Sequence, residues 1–238
     1  MSDQVELSRR ELVAAAGAAG AAFLVGCGGG DRGDISTARA PSTGRAAGES
    51  HAATCVLTPE KTEGPYFVDE RLDRSDVREG QRGVRLALAM HVFDASADCA
   101  PVKGALVDIW HANADGEYSD VGATDGQTWL RGYQTTDANG RARFTTIWPG
   151  WYPGRVVHIH FKVRVRGAET REFTSQLFFT DAMNGKVFKQ APYSSRGNPD
   201  VTDSADSIYN PGGSALTLRP RRDGAGGYRA DFRVGLAA

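Results

Sequence analysis

The chain has 238 residues with 28 basic and 29 acidic side chains, a formal charge of -1, so no strong field favours a nucleic acid or an acidic membrane surface as partner. Hydrophobic residues at 40% and charged residues at 24% are the mix of a globular protein and exclude a chain disordered throughout. Its 29 glycines and 10 prolines suit many short strands and turns better than a helical bundle.

The N-terminus reads as a targeting segment. Ser8-Arg9-Arg10-Glu11-Leu12-Val13 leads into an uncharged Ala/Gly/Leu/Val run from Leu12 to Val25, 14 residues long, the layout of a signal peptide over residues 1–26. A membrane span needs roughly 20 such residues, which disfavours a transmembrane anchor. The paired Arg9 and Arg10 resemble a twin-arginine export signal. Leu24-Val25-Gly26-Cys27 resembles a lipobox, predicting lipidation of Cys27 and attachment to the membrane of a bacterial cell envelope; an ordinary cleavage site is the alternative. Removing residues 1–26 leaves 26 basic and 26 acidic groups.

Residues 27–51, rich in Gly, Ser and Ala without periodic apolar positions, predict a flexible linker. Cys55 and Cys99 are then candidates for a disulfide in an oxidising compartment, with two buried thiols as the alternative.

Residues 52–238 predict one all-β domain, an antiparallel β-sandwich with long loops. Strands are expected where apolar residues alternate: Val84, Leu86, Leu88, Met90 and Val92; Val107 and Ile109 against Leu106 and Asp108; Val157, Ile159, Phe161, Val163 and Val165; and a closing run of Tyr228, Ala230, Phe232, Val234 and Leu236. Asp137-Ala138-Asn139-Gly140 predicts a hairpin between Gly132–Thr136 and Arg141–Ile147. Residues 181–220 lack apolar periodicity and predict a long surface excursion, one that could cover a pocket.

The segment with most chemistry is Trp148-Pro149-Gly150-Trp151-Tyr152-Pro153-Gly154-Arg155-Val156-Val157-His158-Ile159-His160-Phe161. In an extended strand His158 and His160 share a face while Val157, Ile159 and Phe161 take the other. Two adjacent imidazoles point to a metal, or else to a solvated polar face that Lys162 and Arg164 would continue. Of the other histidines, His51 lies at the linker, His91 reads as a surface or hydrogen-bonded residue, and His111 as one that orders a loop. Further ligands must then be oxygen atoms. A cupin would need a histidine after His160, and the chain has none. A zinc hydrolase would need a nearby acidic motif. The nearest unusual oxygen donor is Tyr152.

Together with Thr58–Phe67 (TPEKTEGPYF) and Val107–Ser119 (VDIWHANADGEYS), this segment resembles the intradiol ring-cleavage dioxygenases over most of residues 52–238. The resemblance implies a non-haem Fe(III) cofactor held by Tyr118, Tyr152, His158 and His160. It further implies that the Tyr152 phenolate acts as a base, that Arg155 stabilises charge on the ring, and that Gln176 is a polar active-site group. The implied reaction takes a catechol-type substrate and O2 to a muconate-type product; self-association is also implied. Only six positions separate Tyr152 from His158, a tighter interval than in the catechol and protocatechuate enzymes, while Gly150-Trp151-Tyr152-Pro153-Gly154-Arg155 resembles a secreted branch of the family, so no particular catechol carries over. A competing expectation is a membrane-tethered, transthyretin-like binding module without turnover.

Overall fold

Leu86, Leu88, Met90 and Val92 lie on one face of strand β1 (Arg85–Asp94) and are fully or nearly fully buried, while the residues between them are half-buried. The same alternation recurs in β9 (Tyr228–Leu236), where Tyr228, Ala230, Phe232 and Val234 point inward. These are the two central strands of a five-stranded sheet completed by β2 (Ala100–Pro101), β5 (Arg141–Ile147) and β8 (Arg221–Arg222). A four-stranded sheet faces it, ordered β4 (Arg131–Thr135), β3 (Leu106–Trp110), β6 (His158–Val165), β7 (Arg171–Phe178). Val107 and Ile109 of β3, and Ile159, Phe161 and Val163 of β6, supply the core on that side. Phe161 meets Phe232 across the sandwich with ring centroids 6.1 Å apart.

This computed structural model describes residues 56–167 and 170–237, all within the compact unit Ser50–Ala238. The expected signal peptide (1–26), lipidated Cys27 and linker (27–51) lie outside them. Cys99 is disulfide-bonded; Cys55, its expected partner, also lies outside the described residues. No helix among those residues is long and apolar enough to cross a membrane.

The expected all-β sandwich forms, with three details of the expectation corrected. The β-sandwich is not antiparallel throughout: β1 and β9 pair in parallel, from Leu86↔Tyr228 to Asp94↔Leu236. Nearly the whole domain intervenes between them, which gives the chain room to return to the same end. The Asp137–Gly140 turn forms, with Asp137 Oδ1 accepting from Asn139 N at 2.8 Å and Arg141 N at 2.9 Å, but it is not a hairpin. It carries the chain from β4 in one sheet to β5 in the other, where β5 pairs with β1.

Residues 181–220, thirdly, are more than a surface excursion. They contain helix α1 (Asp181–Val187), N-capped by Thr180, and plant Val187, Phe188, Tyr193, Leu216 and Leu218 in the core. The buried Tyr193 hydroxyl donates to the Trp148 carbonyl at 2.6 Å and accepts from Val84 N at 3.1 Å. These anchors are spaced irregularly, so no period announces them.

A strap made by residues 58–77 crosses the outer face of the four-stranded sheet. Lys61 N donates to Thr174 O (3.1 Å) and Tyr133 N to Leu72 O (2.8 Å), Ser175 Oγ to Pro59 O (2.7 Å) and Arg131 Nη1 to Tyr66 O (2.7 Å). Lys162 pairs with Glu63 at 2.5 Å, and Arg164 with Asp69 at 3.3 Å. The strap turns a face that would otherwise meet water into an interior.

Candidate metal centre and active site

Under the strap, β6 presents His158 and His160 on its outer face, both buried, and so not on a solvated face. The ladder sets Trp110 of β3 and Gln176 of β7 on either side of His160. Trp110 stacks on the His160 ring, with centroids 5.0 Å apart and planes 9° apart. Gly64 of the strap passes above the same ring at φ +72°, and a Cβ there would lie 3.2 Å from His160 Cε1. A side chain at that position would both strain the backbone and crowd the imidazole.

Two loops bring the phenols. Asn113 folds the turn ahead of Tyr118, its Oδ1 accepting from Asp115 N (2.9 Å) and Glu117 N (3.0 Å). The loop carrying Tyr152 is fastened to it: Gly150 N donates to Asn113 O at 2.9 Å, and Gly116 (φ +82°) packs so close to the Trp151 carbonyl that a Cβ would collide. Tyr118 and Tyr152 therefore approach as a unit, their ring centroids 5.8 Å apart.

Four donor atoms converge. His158 Nε2 lies 3.0 Å from His160 Nε2, 3.1 Å from Tyr152 Oη and 3.3 Å from Tyr118 Oη. His158 Nδ1 donates to the Val156 carbonyl at 2.6 Å; a carbonyl only accepts, so the proton sits on Nδ1 and the Nε2 lone pair faces the cluster. Burial, reinforced by the Arg155 charge, pushes His158 down to about 3. Burial and the neighbouring His158 push His160 well below the ordinary imidazole value. Both rings are thus neutral and able to donate lone pairs. Burial raises both phenols, Tyr118 furthest, with Tyr152 adding to it; at Tyr152 the Arg155 charge opposes the rise.

This donor set fits a metal ion. Nitrogen and oxygen ligands sit about 2.0–2.2 Å from such an ion, and pairs subtending about a right angle there are then roughly 3 Å apart, as observed. Among the described residues no group of three or more His, Cys, Asp or Glu side chains could hold a metal, so any ion here needs the phenols. Two neutral nitrogens with two ionisable oxygens suit a hard, highly charged cation, whose field would reverse the burial effect on the phenols.

Arg155 and Gln176 join the same site. Arg155 Nη2 donates to Gln176 Oε1 at 2.7 Å, and Gln176 Nε2 donates to Thr62 O at 2.8 Å. His111 stands apart from the donors. Its Nδ1 donates to Ala112 O at 2.9 Å and its Nε2 accepts from Thr146 Oγ1 at 2.6 Å, tying β3 to the opposite sheet. His91 is half-buried on the five-stranded sheet, 3.6 Å from Asp231. His51 lies outside the described residues.

Three residues had no role of their own in the sequence reading. Arg131 is buried and donates to Ser119 Oγ (2.9 Å), Ser119 O (2.6 Å) and the strap, joining the Tyr118 loop to the roof. Tyr66 lies with its ring centroid 4.5 Å from that of Tyr118. Asp206 accepts from Arg155 Nε at 2.8 Å. Arg131 and Tyr66 carried a weak signal in their positions at a strand start and beside the Glu63-Gly64-Pro65 motif; Asp206, within an aperiodic stretch, carried none.

A family model described as "Dioxygenase" matches residues 62–187. Catechol 1,2-dioxygenase 1 of Acinetobacter lwoffii is 29% identical over 189 residues, spanning 68% of this chain and 57% of that protein. The protocatechuate 3,4-dioxygenase beta chain of Burkholderia cepacia is 35% identical over 109 residues, 40% of this chain and 46% of its own. The chain thus spans about half the length of these curated relatives. It covers 94% of a solved intradiol ring-cleavage dioxygenase from Tetranychus urticae, which matches 76% of this chain at 28% identity with a TM-score of 0.69. A dioxygenase domain from Streptomyces sp. SirexAA-E matches 76% of this chain and 98% of its own at 30% identity, with a TM-score of 0.58.

Proposed function

The chain belongs to the intradiol ring-cleavage dioxygenases, and from that premise we propose that it opens a catechol-type ring between its two hydroxylated carbons, using Fe(III) and O2, to give a muconate-type dicarboxylate. The observation that carries this reading is the convergence of two phenol oxygens and two imidazole nitrogens on one point. Bound there, a ferric ion would supply Lewis acidity that keeps phenols and catechol anionic and makes the ring electron-rich enough to react with O2.

The chain's own residues do the rest. His158 and His160 donate neutral nitrogens; Val156 O fixes the tautomer of His158, and Trp110 fixes the plane of His160. Tyr118 is buried and Tyr152 half-buried, so Tyr152 is the phenol free to swing aside and take a catechol proton on Oη. Its neighbour Arg155, only 16% exposed at the side chain, places a permanent positive charge where negative charge develops on the ring. That interaction is worth most in a water-poor pocket. Gln176 fixes one edge of the guanidinium. Tyr66, Phe67 and Trp110 form an aromatic wall with Tyr118 and Tyr152 that keeps bulk water from the donors.

The test is oxygen consumption by iron-loaded protein with a panel of catechols, with the product identified by mass. One O2 consumed per dicarboxylate formed is the expected result. Binding of catechols without oxygen uptake would defeat the proposal.

A further inference from the structure

Arg155 is held at two of its nitrogens. Nη2 donates to Gln176, which is itself held by the strap at Thr62 O, while Nε donates to Asp206 Oδ2. With Nε and Nη2 both engaged, the plane of the guanidinium is fixed. Asp206 is the deeper partner, its side chain 1% exposed. Its two oxygens have separate duties. Oδ1 accepts from Ile208 N at 2.7 Å and Tyr209 N at 3.0 Å, folding its own turn. Oδ2 faces the other way and accepts from Arg155 Nε and from Val156 N at 2.9 Å. Capping the turn needs only Oδ1, so the second oxygen calls for another purpose. Burial by itself would raise the Asp206 pKa, but the Val156 amide and the Arg155 side chain bring it below the ordinary carboxylate value, so the carboxylate is charged at neutral pH.

We infer that Asp206 is the positioning residue for Arg155: through Oδ2 it sets the guanidinium beside Tyr152, and through Oδ1 it makes that placement depend on the folded 206–209 turn of the excursion. The inference rests on the proposed reaction for its kinetic consequence, and on the fold alone for its geometric one. An amide in place of the carboxylate separates the two duties. With its oxygen kept on the turn, its NH2 would face two donors, Arg155 Nε–H and Val156 N–H, and the guanidinium would lose its edge.

In Asp206→Asn, kcat should fall about a hundredfold, the scale for a displaced catalytic group, with KM within about threefold and iron content unchanged, because Asp206 touches none of the four donors. In an Arg155→Met background the same change should cost nothing further, since both act through one group. Independently of turnover, the Arg155 Nε–H resonance in metal-free protein should be protected in the parent chain and lost in Asp206→Asn. Asp203→Asn, whose carboxylate does not contact Arg155, should leave all of these unchanged. If Asp206→Asn does not fold, Asp206→Glu carries the test: the retained charge keeps the fold, and the displaced oxygens should still lower kcat about tenfold. A full kcat in either variant, additive losses in the double variant, or a protected Nε–H in Asp206→Asn would overturn the inference. If the parent chain consumes no oxygen with any catechol, the functional reading fails while the Nε–H measurement still decides whether Asp206 orients Arg155.

Discussion

β6 and β9 are both interior strands that alternate apolar and polar residues, and both send their apolar side into the same core. Their other faces differ. On β6, His158, His160 and Lys162 are 2%, 1% and 7% exposed, whereas Arg229, Asp231 and Arg233 of β9 are open to solvent. The cause lies in the strap, which roofs one sheet. The polar groups of β9 are open to solvation by water, but those of β6 need partners in the protein. Lys162 finds Glu63 and Glu172, and Arg164 grips Asp108 with Nε at 3.1 Å and Nη2 at 2.7 Å. The Nε2 atom of His158 meets that of His160 and two phenol oxygens, an arrangement whose lone pairs a cation would complete.

The largest break in this comparison is His160→Ala, which should abolish iron retention and oxygen uptake, checked by metal analysis and an oxygen electrode. The sealed site then has three donors and a hole. Retention of one iron per chain with normal turnover would contradict the donor assignment.

Next is the shared core. Phe161→Ala on β6 should destabilise the domain by about 3–5 kcal/mol, read as a lower denaturation midpoint. Phe232→Ala, its counterpart on β9, should cost a similar amount, because the inner faces of the two strands do the same work. A loss well under 1 kcal/mol at either position would mean that the two faces do not share a core.

Acid should test the interior between the two sheets. The folded metal-free protein keeps His111 neutral with its pKa pushed down to about 4, by burial first, while the unfolded chain takes up that proton near the ordinary value of about 6.5. Its contribution is therefore complete above about pH 6.5 and is lost as pH falls toward 4, at about 1.4 kcal/mol per pH unit. His111→Leu should reduce the slope of stability against pH by about one proton in that window. An unchanged slope would show that His111 is not sealed.

The smallest effect belongs to the open face. Arg229→Ala on β9 should change stability by less than about 0.5 kcal/mol and leave turnover untouched, measured by the same denaturation and oxygen assays.

Strands β1, β3, β6 and β9 were legible because each shows a period of two, whereas β2, β7 and β8 show none and were not expected. His158, His160 and Tyr152 stood out within nine residues of one segment, and Tyr118 came only from the family resemblance. Periodicity names faces and says nothing of what covers them. The burial of the His158 face depends on residues 58–77, some 80–100 positions away, whose hydrogen bonds use backbone carbonyls such as Pro59 O, Thr62 O and Tyr66 O. Carbonyls leave no trace in side-chain identity. Asp206 was hidden for a related reason, since its importance comes from meeting Arg155 across a fold that the aperiodic 181–220 segment did not disclose. The Asp137–Gly140 turn shows the opposite case: its local chemistry was plain, but local chemistry does not say which sheet the outgoing strand joins.

The most direct test is a crystal structure of iron-loaded protein with anomalous scattering measured at the iron edge. One strong peak within bonding distance of Tyr118 Oη, Tyr152 Oη, His158 Nε2 and His160 Nε2 is predicted. An iron bound elsewhere, or one held by the imidazoles without either phenol, would contradict it.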